Sequence, residues 1–320
     1  MDDRIAVALE SAFPDRNVDS VGSAGISWNE NNTTVHVEFS DGPDAYLKVA
    51  SGEDGSRIAR ESAVIPYVAA HTGVPVPTVL SSSVDGPVPY LATKPVSGPN
   101  LVDVWSDASS EAREALAREV GASLARVHEC RFEEHGQIVG GGARGLELRT
   151  APWTDVLVET IAEMRELAPT ARYDHYFDQV SAAVRENRET LDSAPAGLVH
   201  GDGAQPNCFR SDSTIGFLDW ELAHVGDPSR DLYRAKVQQF DSLRTTGPDA
   251  ILQRFFDGYR SVAGGLPDGY ERRKPIYEAV RFLGVPGFFD KIAEFHDEDA
   301  DELAVWVEAE MDRLLGRITS

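Results

Sequence analysis

Residues 198–207 constrain the fold of this 320-residue chain more than any other segment. Apolar Leu198 and Val199 lead into a run of loop-forming residues, in which Asp202 and Asn207 stand five positions apart. Such a fixed spacing is needed when a carboxylate and an amide must converge on one reacting group from a single loop. The segment therefore predicts a strand followed by a loop that carries functional side chains.

A second carboxylate follows at a distance that returns the chain to the same place. Ile215, Phe217 and Leu218 form a short apolar run, which predicts a strand with Asp219 at its end. Mg²⁺ binds through one or two carboxylates together with substrate phosphates, and Asp219 supplies such a carboxylate beside Asn207. Protein kinases have the same spacing of Asp and Asn in the loop that orients the substrate hydroxyl and holds Mg²⁺. The two segments together predict phosphoryl transfer.

The N-terminal part predicts a β-hairpin and a helix that bring a cation and a carboxylate together. Apolar residues alternate over residues 33–50 on both sides of a turn at 41–44, which places Lys48 on the face opposite the apolar side chains. Residues 56–71 show helical spacing, and Glu61 falls on their apolar stripe. A carboxylate aimed inward costs free energy unless a cation meets it, so we expect Lys48 to pair with Glu61.

The remaining pattern predicts an α+β fold in two lobes. Prolines break residues 74–96 into short strand candidates, after which the chain turns mostly helical. A small β-rich lobe is expected over residues 1–97 and a larger, mainly helical lobe over residues 98–320. Gly140-Gly141-Gly142 predicts a flexible loop and not a phosphate loop, because no Gly-Lys-Ser/Thr follows it. Apolar residues at helical spacing mark helices near residues 116–127, 177–191, 251–262 and 303–315.

Three motifs, in this order, resemble the aminoglycoside phosphotransferase family, which belongs to the wider group of protein-kinase-like enzymes. The resemblance covers nearly the whole chain and is firmest over residues 196–235. It implies a bilobal kinase-like fold, with a small antiparallel β-sheet lobe containing one helix and with ATP between the lobes. It also implies transfer of the γ-phosphate to a hydroxyl of an aminoglycoside, sugar, amino alcohol or related metabolite. The motifs are His200-Gly-Asp-x4-Asn207, Leu218-Asp219-Trp220-Glu221 and Gly226-Asp227-Pro228-x-x-Asp231-Leu232.

The resemblance further implies roles for residues at matching positions. Asp202 matches the catalytic carboxylate that orients the acceptor hydroxyl and takes its proton, and Asp231 matches a carboxylate that braces the catalytic loop. Asn207 and Asp219 match the Mg²⁺ ligands. The residues expected to bind ATP are Lys48 at the α- and β-phosphates, Glu61 as its partner, Gly22 and Gly25 in a phosphate loop over residues 22–28, and Thr93, Lys94 and Val96 in the hinge for adenine.

Other polar residues near these motifs have structural interpretations. His200 predicts a side chain that packs the loop, because the adjacent carboxylate already supplies the base. Asp227 before Pro228 predicts a helix N-cap with proline at the first helical position. Cys208 predicts a small buried hydrophobe, and together with Cys130 it forms neither a metal spacing nor a disulfide framework.

The charge balance restricts the partners and suggests the solvent. Asp and Glu number 53 against 30 Lys and Arg, which gives a net charge of -23 and repels nucleic-acid phosphates. A chain this acidic and this poor in lysine is typical of adaptation to high salt, where counter-ions screen the carboxylates; the alternative is an ordinary acidic protein. Neither a run of about 18 apolar residues nor a secretory leader pattern is present, so we expect a cytoplasmic protein without a membrane partner.

The sequence leaves the acceptor and a rival function open. The rival is a catalytically weak, pseudokinase-like module that binds nucleotide, and the complete set of candidate catalytic and metal residues argues against it. A protein kinase is disfavoured because the chain has no Asp-Phe-Gly or Ala-Pro-Glu segment. The identity of the acceptor, the choice between ATP and GTP, and the oligomeric state stay open. Candidates for lining the acceptor site, from position alone, are Glu221, Tyr233, Asp257 and Tyr259.

Overall fold

The computed structural model describes residues 2–25, 31–297 and 299–318. An antiparallel sheet dominates the N-terminal part and helices dominate the C-terminal part, so the α+β prediction is confirmed. The strands are β1 (Val18–Ser23), β2 (Asn32–Phe39), β3 (Gly42–Ala50), β4 (Val79–Ser83), β5 (Tyr90–Thr93), β6 (Gly136–Gly142), β7 (Gly145–Thr150), β8 (Gly197–Val199), β9 (Cys208–Ser211), β10 (Thr214–Phe217) and β11 (His224–Gly226).

The first two α-helices of the chain pack on opposite faces of the N-terminal sheet, and the others belong to the C-terminal part. They are α1 (Asp3–Ala12), α2 (Ser56–His71), α3 (Leu101–Asp107), α4 (Ser110–His128), α5 (Trp153–Leu167), α6 (Asp174–Glu186), α7 (Arg188–Asp192), α8 (Pro228–Phe240), α9 (Asp249–Ala263), α10 (Tyr270–Phe282), α11 (Gly284–Gly287), α12 (Phe289–His296) and α13 (Ala300–Ile318).

The N-terminal sheet has five antiparallel strands in the order β1-β2-β3-β5-β4. The predicted hairpin is confirmed as β2 and β3, in which Val35 lies opposite Leu47. Both side chains are buried in a core shared with α1. Because side chains alternate along a strand, Lys48 lies on the other face, toward α2, which begins and ends at the predicted residues. The sheet thus separates its apolar core from the face that carries the lysine.

The C-terminal part combines two small sheets with a helical core. One sheet has the strand order β7-β6-β11-β8, and β9 and β10 form a separate hairpin. The helices predicted near 116–127, 251–262 and 303–315 are confirmed as α4, α9 and α13. Two glycines let α4 and α9 approach closely, because a Cβ on Gly121 would lie 2.0 Å from the carbonyl oxygen of Phe255 and one on Gly258 would lie 2.0 Å from that of Arg118.

The stretch 177–191 forms two helices rather than one. Helix α6 ends at Glu186, and α7 begins at Arg188. Asn187 lies between them, and its Nδ2 donates to the carbonyl oxygen of Ala183 at 2.9 Å. This local side-chain bond to a carbonyl of the last turn competes with continuation of the helix, which the apolar spacing alone does not reveal.

The prediction of a flexible loop at residues 140–142 is wrong. These glycines form the end of β6 and pair with β7 in a hairpin. Gly141 has a φ of +110°, and a Cβ there would lie 2.3 Å from the carbonyl oxygen of Gly145. Glycine is therefore needed for close strand approach beside a register shift between Ile138 and Gly140.

Within the described ranges, no helix combines the length and the apolar character needed to cross a membrane.

Candidate active site

The segment predicted to carry the chemistry leaves β8, passes through residues 200–204, forms a short 3₁₀ turn at Gln205–Asn207 and continues as β9. Gly201 has a φ of +83°, and a Cβ there would lie 2.4 Å from the carbonyl oxygen of Leu222. Only glycine allows this backbone path at such close approach. The tight bend directs Asp202 into a large cleft that also borders Asn207 and Asp219.

Asp231 on α8 fixes the start of this loop, as its predicted bracing role requires. Its carboxylate accepts hydrogen bonds from the backbone N–H groups of His200, at 2.8 Å, and Gly201, at 2.9 Å. The ring of buried His128 also donates to it, at 3.1 Å. Burial acts to raise the pKa of Asp231, but these donors outweigh it and hold the pKa well below its usual value. The loop is therefore anchored by a buried, charged carboxylate.

Asp231→Asn is expected to lower the free energy of unfolding by about 3 kcal/mol. The three donors around Asp231 bond to two carboxylate oxygens, whereas an amide has one oxygen and replaces the other with a donor NH₂ group. Denaturant titration would measure the loss. Asp212→Asn is the matched control, since Asp212 is an exposed carboxylate in the turn between β9 and β10 and should change stability by less than about 0.5 kcal/mol. Equal stability of the two variants would contradict the bracing role.

His200 packs the loop, in agreement with the prediction. It is fully buried, and its Nε2 donates to the carbonyl oxygen of Leu218 at 2.9 Å while its Nδ1 accepts from the N–H of Asp202 at 3.1 Å. Burial lowers the pKa of His200, which keeps the ring neutral. The ring thus links the residue before Asp219 to the backbone of Asp202 and positions the two carboxylates relative to each other.

Asp202 is held by three side chains. Asn207 Nδ2 donates to one carboxylate oxygen at 2.9 Å, and Arg234 donates to the other at 3.0 Å. Gln238, one turn after Arg234 on α8, also donates to that second oxygen. Burial acts to raise the pKa of Asp202, but the Arg234 guanidinium and the Gln238 hydrogen bond outweigh it, so the pKa lies below its usual value. Asp202 is therefore an oriented, ionised carboxylate.

Arg234 and Gln238 are residues that the sequence reasoning missed. They lie four positions apart on α8, and Arg230 lies one turn before them, so the three line one face of that helix. The signal was present as a polar stripe directly after the Gly226-Asp227-Pro228 motif. Its importance shows only in the fold, where α8 runs beside the loop that carries Asp202.

Asp219 lies at the end of β10, where the predicted carboxylate was expected. It has a φ of +59°, a left-handed conformation that is uncommon for a residue other than glycine. The preceding residue, Leu218, donates its N–H to the carbonyl oxygen of Asn207 at 2.8 Å. This backbone hydrogen bond holds Asn207, just before β9, next to the residue that precedes Asp219, just after β10, so the two predicted Mg²⁺ ligands lie close together. Their side-chain oxygens are hard donors of the kind that Mg²⁺ prefers, so the residue types fit that ion.

Lys48 lies among three carboxylates. Its Nζ donates to Glu61 at 2.6 Å, to Asp219 at 2.7 Å and to Glu221 at 3.2 Å. The expected contact between Lys48 and Glu61 is therefore present, and the contact to Asp219 joins the N-terminal sheet to the C-terminal part. Burial acts to lower the pKa of Lys48, but the carboxylates outweigh it and raise the pKa well above its usual value.

The two buried glutamates of this cluster differ in their electrostatics. Burial raises the pKa of Glu61 to about 7 in spite of the nearby ammonium. Glu221 keeps a pKa below its usual value, because Lys48 and Arg57 outweigh its burial. The Glu221 carboxylate accepts hydrogen bonds from Arg57 at 2.8 Å and from Asn32 Nδ2 at 2.7 Å. Position in the sequence predicts Glu221 only as a candidate for lining the acceptor site, whereas its carboxylate belongs to the Lys48 cluster.

The cleft, with a volume of about 1650 Å³, runs between the N-terminal sheet and the C-terminal helices. Its lining includes Thr93, Lys94 and Val96, and the N–H of Lys94 already donates to the carbonyl oxygen of Thr78 at 2.9 Å. Gly25 borders the cleft with a φ of +129°. Gly22 lies in β1, opposite His36. Residues 26–28 of the predicted phosphate loop lie outside the described part of the chain.

Of the four residues suggested for the acceptor site, Tyr233 and Glu221 line the cleft, Glu221 as part of the Lys48 cluster. Tyr259 is fully buried instead, with its hydroxyl 3.0 Å from His128 Nδ1. Asp257 pairs with Arg260 on the outer face of α9. Position along the chain did not separate these cases, because successive residues of a helix point in different directions.

Acid should destabilise the protein through His224. Its Nδ1 lies 2.9 Å from the carbonyl oxygen of Leu222, and burial, aided by Arg230, lowers its pKa to about 3. The unfolded chain takes up the proton near pH 6.5, so the stabilisation is present above that pH and is lost as pH falls toward 3. We expect a loss of about 3 kcal/mol between pH 8 and pH 4 from this group.

Denaturant titrations from pH 8 to pH 4 would measure this slope in the natural protein and in His224→Asn, which has no titratable ring. The variant should lose stability less steeply over that interval. Identical slopes would show that His224 does not contribute to the acid sensitivity.

The fold is of the protein-kinase-like type, and Lys48, Asp202, Asn207 and Asp219 line one cleft between its two parts. The model of the phosphotransferase enzyme family matches residues 24–276. The chain therefore belongs to the phosphotransferase enzyme family. The resemblance drawn from the three sequence motifs is confirmed.

Solved structures of similar fold cover nearly the whole chain. A candidate fructosamine-3-kinase from Thermobifida fusca has 20% identity and a TM-score of 0.62, with 98% of this chain and 99% of that chain covered. Choline kinase LicA from Streptococcus pneumoniae has 14% identity and a TM-score of 0.62, with coverage of 99% and 100%. Aminoglycoside phosphotransferase APH(4)-Ia has 16% identity and a TM-score of 0.60, with coverage of 99% for both chains. No curated protein matches the sequence.

Proposed function

We propose that the enzyme transfers the γ-phosphoryl group of ATP, with Mg²⁺, to a hydroxyl of a small molecule. The observation that carries this proposal is the hydrogen-bonded arrangement around Asp202 together with the Lys48 cluster on the same cleft. Phosphoryl transfer needs positioning and charge neutralisation more than covalent chemistry, and these groups supply both. Structures similar to this chain have been solved with ADP and hygromycin B and with GDP and kanamycin, which supports a nucleotide and a small acceptor here.

Asp202 is the proposed catalytic residue. Held by Asn207 and Arg234, it orients the acceptor hydroxyl and takes its proton as the acceptor oxygen bonds to the γ-phosphorus. The bond from that phosphorus to the β–γ bridging oxygen breaks, and ADP leaves. Arg234, which contacts Asp202, is proposed to stabilise the negative charge on the phosphoryl oxygens during transfer. Bound Mg²⁺, held by Asn207 and Asp219, would neutralise the phosphate oxygens.

The proposed nucleotide site divides the chain into residues 1–97, which bind the nucleotide, and residues 98–320, which carry catalysis and the acceptor. Lys48, held by Glu61, is proposed to contact the α- and β-phosphates, and Asp219 would offer a carboxylate oxygen to the metal ion. The backbone of residues 93–96 is the proposed adenine hinge, apart from the N–H of Lys94, which is already bonded. Gly25 is proposed to let the backbone approach the phosphates.

ADP release would test the proposal directly. The protein is incubated in molar KCl with ATP, with and without Mg²⁺, and with aminoglycosides, sugars, sugar acids, sugar phosphates and amino alcohols. Release that depends on both Mg²⁺ and one acceptor class would support a small-molecule kinase. Tight binding of Mg-ATP without phosphorylation of any acceptor class would favour the pseudokinase-like rival, and failure to bind any nucleotide would reject both.

The acidic composition leads to a separate expectation about salt. With 53 acidic and 30 basic residues, low ionic strength leaves the repulsion among carboxylates unscreened. We expect stability and turnover to rise between about 0.1 M and molar KCl, where the screening length falls from about 10 Å to about 3 Å. Thermal unfolding and ADP release measured across that range would check it, and full activity in 0.1 M KCl would contradict adaptation to high salt.

A further inference from the structure

The cleft has the opposite charge balance to the protein as a whole. Twelve Lys and Arg residues line it against eight Asp and Glu residues, whereas the chain contains 30 and 53 of these types. A concave surface lined by one sign of charge concentrates ligands of the other sign. Composition shows that the chain is acidic but not where its charges lie. The excess of cations over carboxylates in the cleft is therefore a property of the fold.

The proposed nucleotide side and acceptor side of the cleft differ in whether their Lys and Arg side chains form ion pairs with carboxylates. Near the Lys48 cluster, Lys48 and Arg57 each contact carboxylates. On the acceptor side, formed by α8 and α10, Arg234 pairs with Asp202 and Lys236 pairs with Asp241. The described residues include no carboxylate within ion-pair distance of either Arg230 or Arg281. Both arginines therefore lack a direct ion pair, and the carboxylates that act on them from a greater distance are Asp231 and Glu163 for Arg230 and Asp202 and Asp241 for Arg281.

Arg281 is the stronger indication of the two. It lies in the last turn of α10, and its Nε is buried without a hydrogen-bond partner among the described residues. Burial and the nearby charge of Arg234 lower its pKa to about 10, so it stays protonated at neutral pH. Arg281 is half-buried and lines the cleft, and a buried guanidinium nitrogen without a hydrogen-bond partner is costly, so a ligand that supplies acceptor atoms to this side chain would be stabilising.

Arg230 adds a second charge one turn before Arg234 on α8. It is almost completely buried, and its Nη1 lies 3.4 Å from Nε2 of neutral His224. A neutral imidazole can accept a hydrogen bond but cannot balance the charge. Burial and Arg234 lower the pKa of Arg230 to about 10, which also leaves it protonated. Arg230 and Arg234 thus lie one turn apart on α8, and Arg281 on α10 is near enough to Arg234 and Asp202 to interact with both electrostatically.

We infer that the acceptor is an anionic hydroxy compound, bearing a carboxylate or a phosphate ester that Arg281 and Arg230 bind while Asp202 orients the hydroxyl. Guanidinium groups match both anions through paired N–H donors. A cationic acceptor would instead meet positive charge that has no direct ion pair. The inference rests on the proposed function, because it concerns the second substrate of the same cleft.

Binding tests the inference with the γ-phosphate position filled. The full chain is saturated with Mg²⁺ and a non-hydrolysable ATP analogue, then titrated calorimetrically at constant ionic strength with gluconate, glucose 6-phosphate, glucose and glucosamine. At least one of the two anions should bind about tenfold more tightly than glucose, and glucosamine should bind most weakly. The order of gluconate and glucose 6-phosphate separates a carboxylate from a phosphate. Absence of anion binding, equal binding of all four probes, or a preference for glucosamine would overturn the inference.

Variants then identify the binding group. Arg281→Gln should reduce the preference for the anion over glucose by at least about tenfold, and Arg281→Lys should retain part of it. Arg254→Gln is the matched control, because Arg254 is a surface arginine on α9 that does not line the cleft. An unchanged anion preference in Arg281→Gln would overturn the assignment. These readouts need no turnover, so anion binding without phosphorylation would reject only the kinase proposal.

Discussion

Asp202→Asn is expected to lower kcat by about 10²- to 10⁴-fold while leaving the affinity for Mg-ATP close to that of the natural protein. The amide keeps the size of the side chain but cannot take the hydroxyl proton. It also has only one acceptor oxygen, so it cannot accept the hydrogen bonds of Asn207, Arg234 and Gln238 as the carboxylate does. Steady-state ADP release and calorimetric nucleotide titration would separate the two effects. The loss should therefore fall on turnover and not on nucleotide binding.

A matched control for this substitution is Asp103→Asn, which changes an exposed carboxylate in the first turn of α3. It should leave kcat and nucleotide affinity unchanged. If Asp202→Asn retained near-normal turnover, the proposed catalytic role would be rejected. If it lost nucleotide affinity to the same extent as turnover, Asp202 would instead belong to the nucleotide site.

Lys48→Met should be the most damaging change on the nucleotide side. We expect kcat/KM for ATP to fall by about 10²-fold or more, because the phosphates lose their proposed cation. Removing the ammonium also leaves Glu61, Asp219 and Glu221 close together with Arg57 as the remaining contact to Glu221. Stability at pH 8 should drop by about 3 kcal/mol, since buried carboxylates are then uncompensated.

The pH dependence of this loss provides an internal check. Glu61 already has a raised pKa, and without Lys48 it should accept a proton more readily. The stability lost in Lys48→Met should therefore shrink between pH 8 and pH 6, as measured by denaturant titration. Lys291→Met, at an exposed position on α12, serves as the control for removal of a positive charge. A stability loss that is the same at both pH values would contradict the carboxylate cluster as its cause.

Local sequence patterns were sufficient for the elements around the nucleotide side. The alternation in β2 and β3 and the helical stripe of α2 placed Lys48 and Glu61 on facing surfaces, because a strand has a period of two and a helix a period of 3.6. Where two local patterns compete, the sequence alone does not determine the structure. Apolar spacing continued through Asn187 although the helix ends there, and the glycines at 140–142 pair as a strand although their composition resembles a loop.

The sequence by itself determined the chemistry that the chain carries: an aspartate and an asparagine at fixed spacing, a second aspartate after a strand, and a lysine with an inward glutamate. These depend on residue types and on local periodicity, which are written in consecutive positions. Only the tertiary structure decided that Arg234 and Gln238 hold Asp202, that Glu221 joins Lys48, and that a cleft with more cations than carboxylates lies within an acidic protein. Those features arise from contacts between residues far apart in the chain, and electrostatic interactions depend on distance and burial rather than on sequence separation.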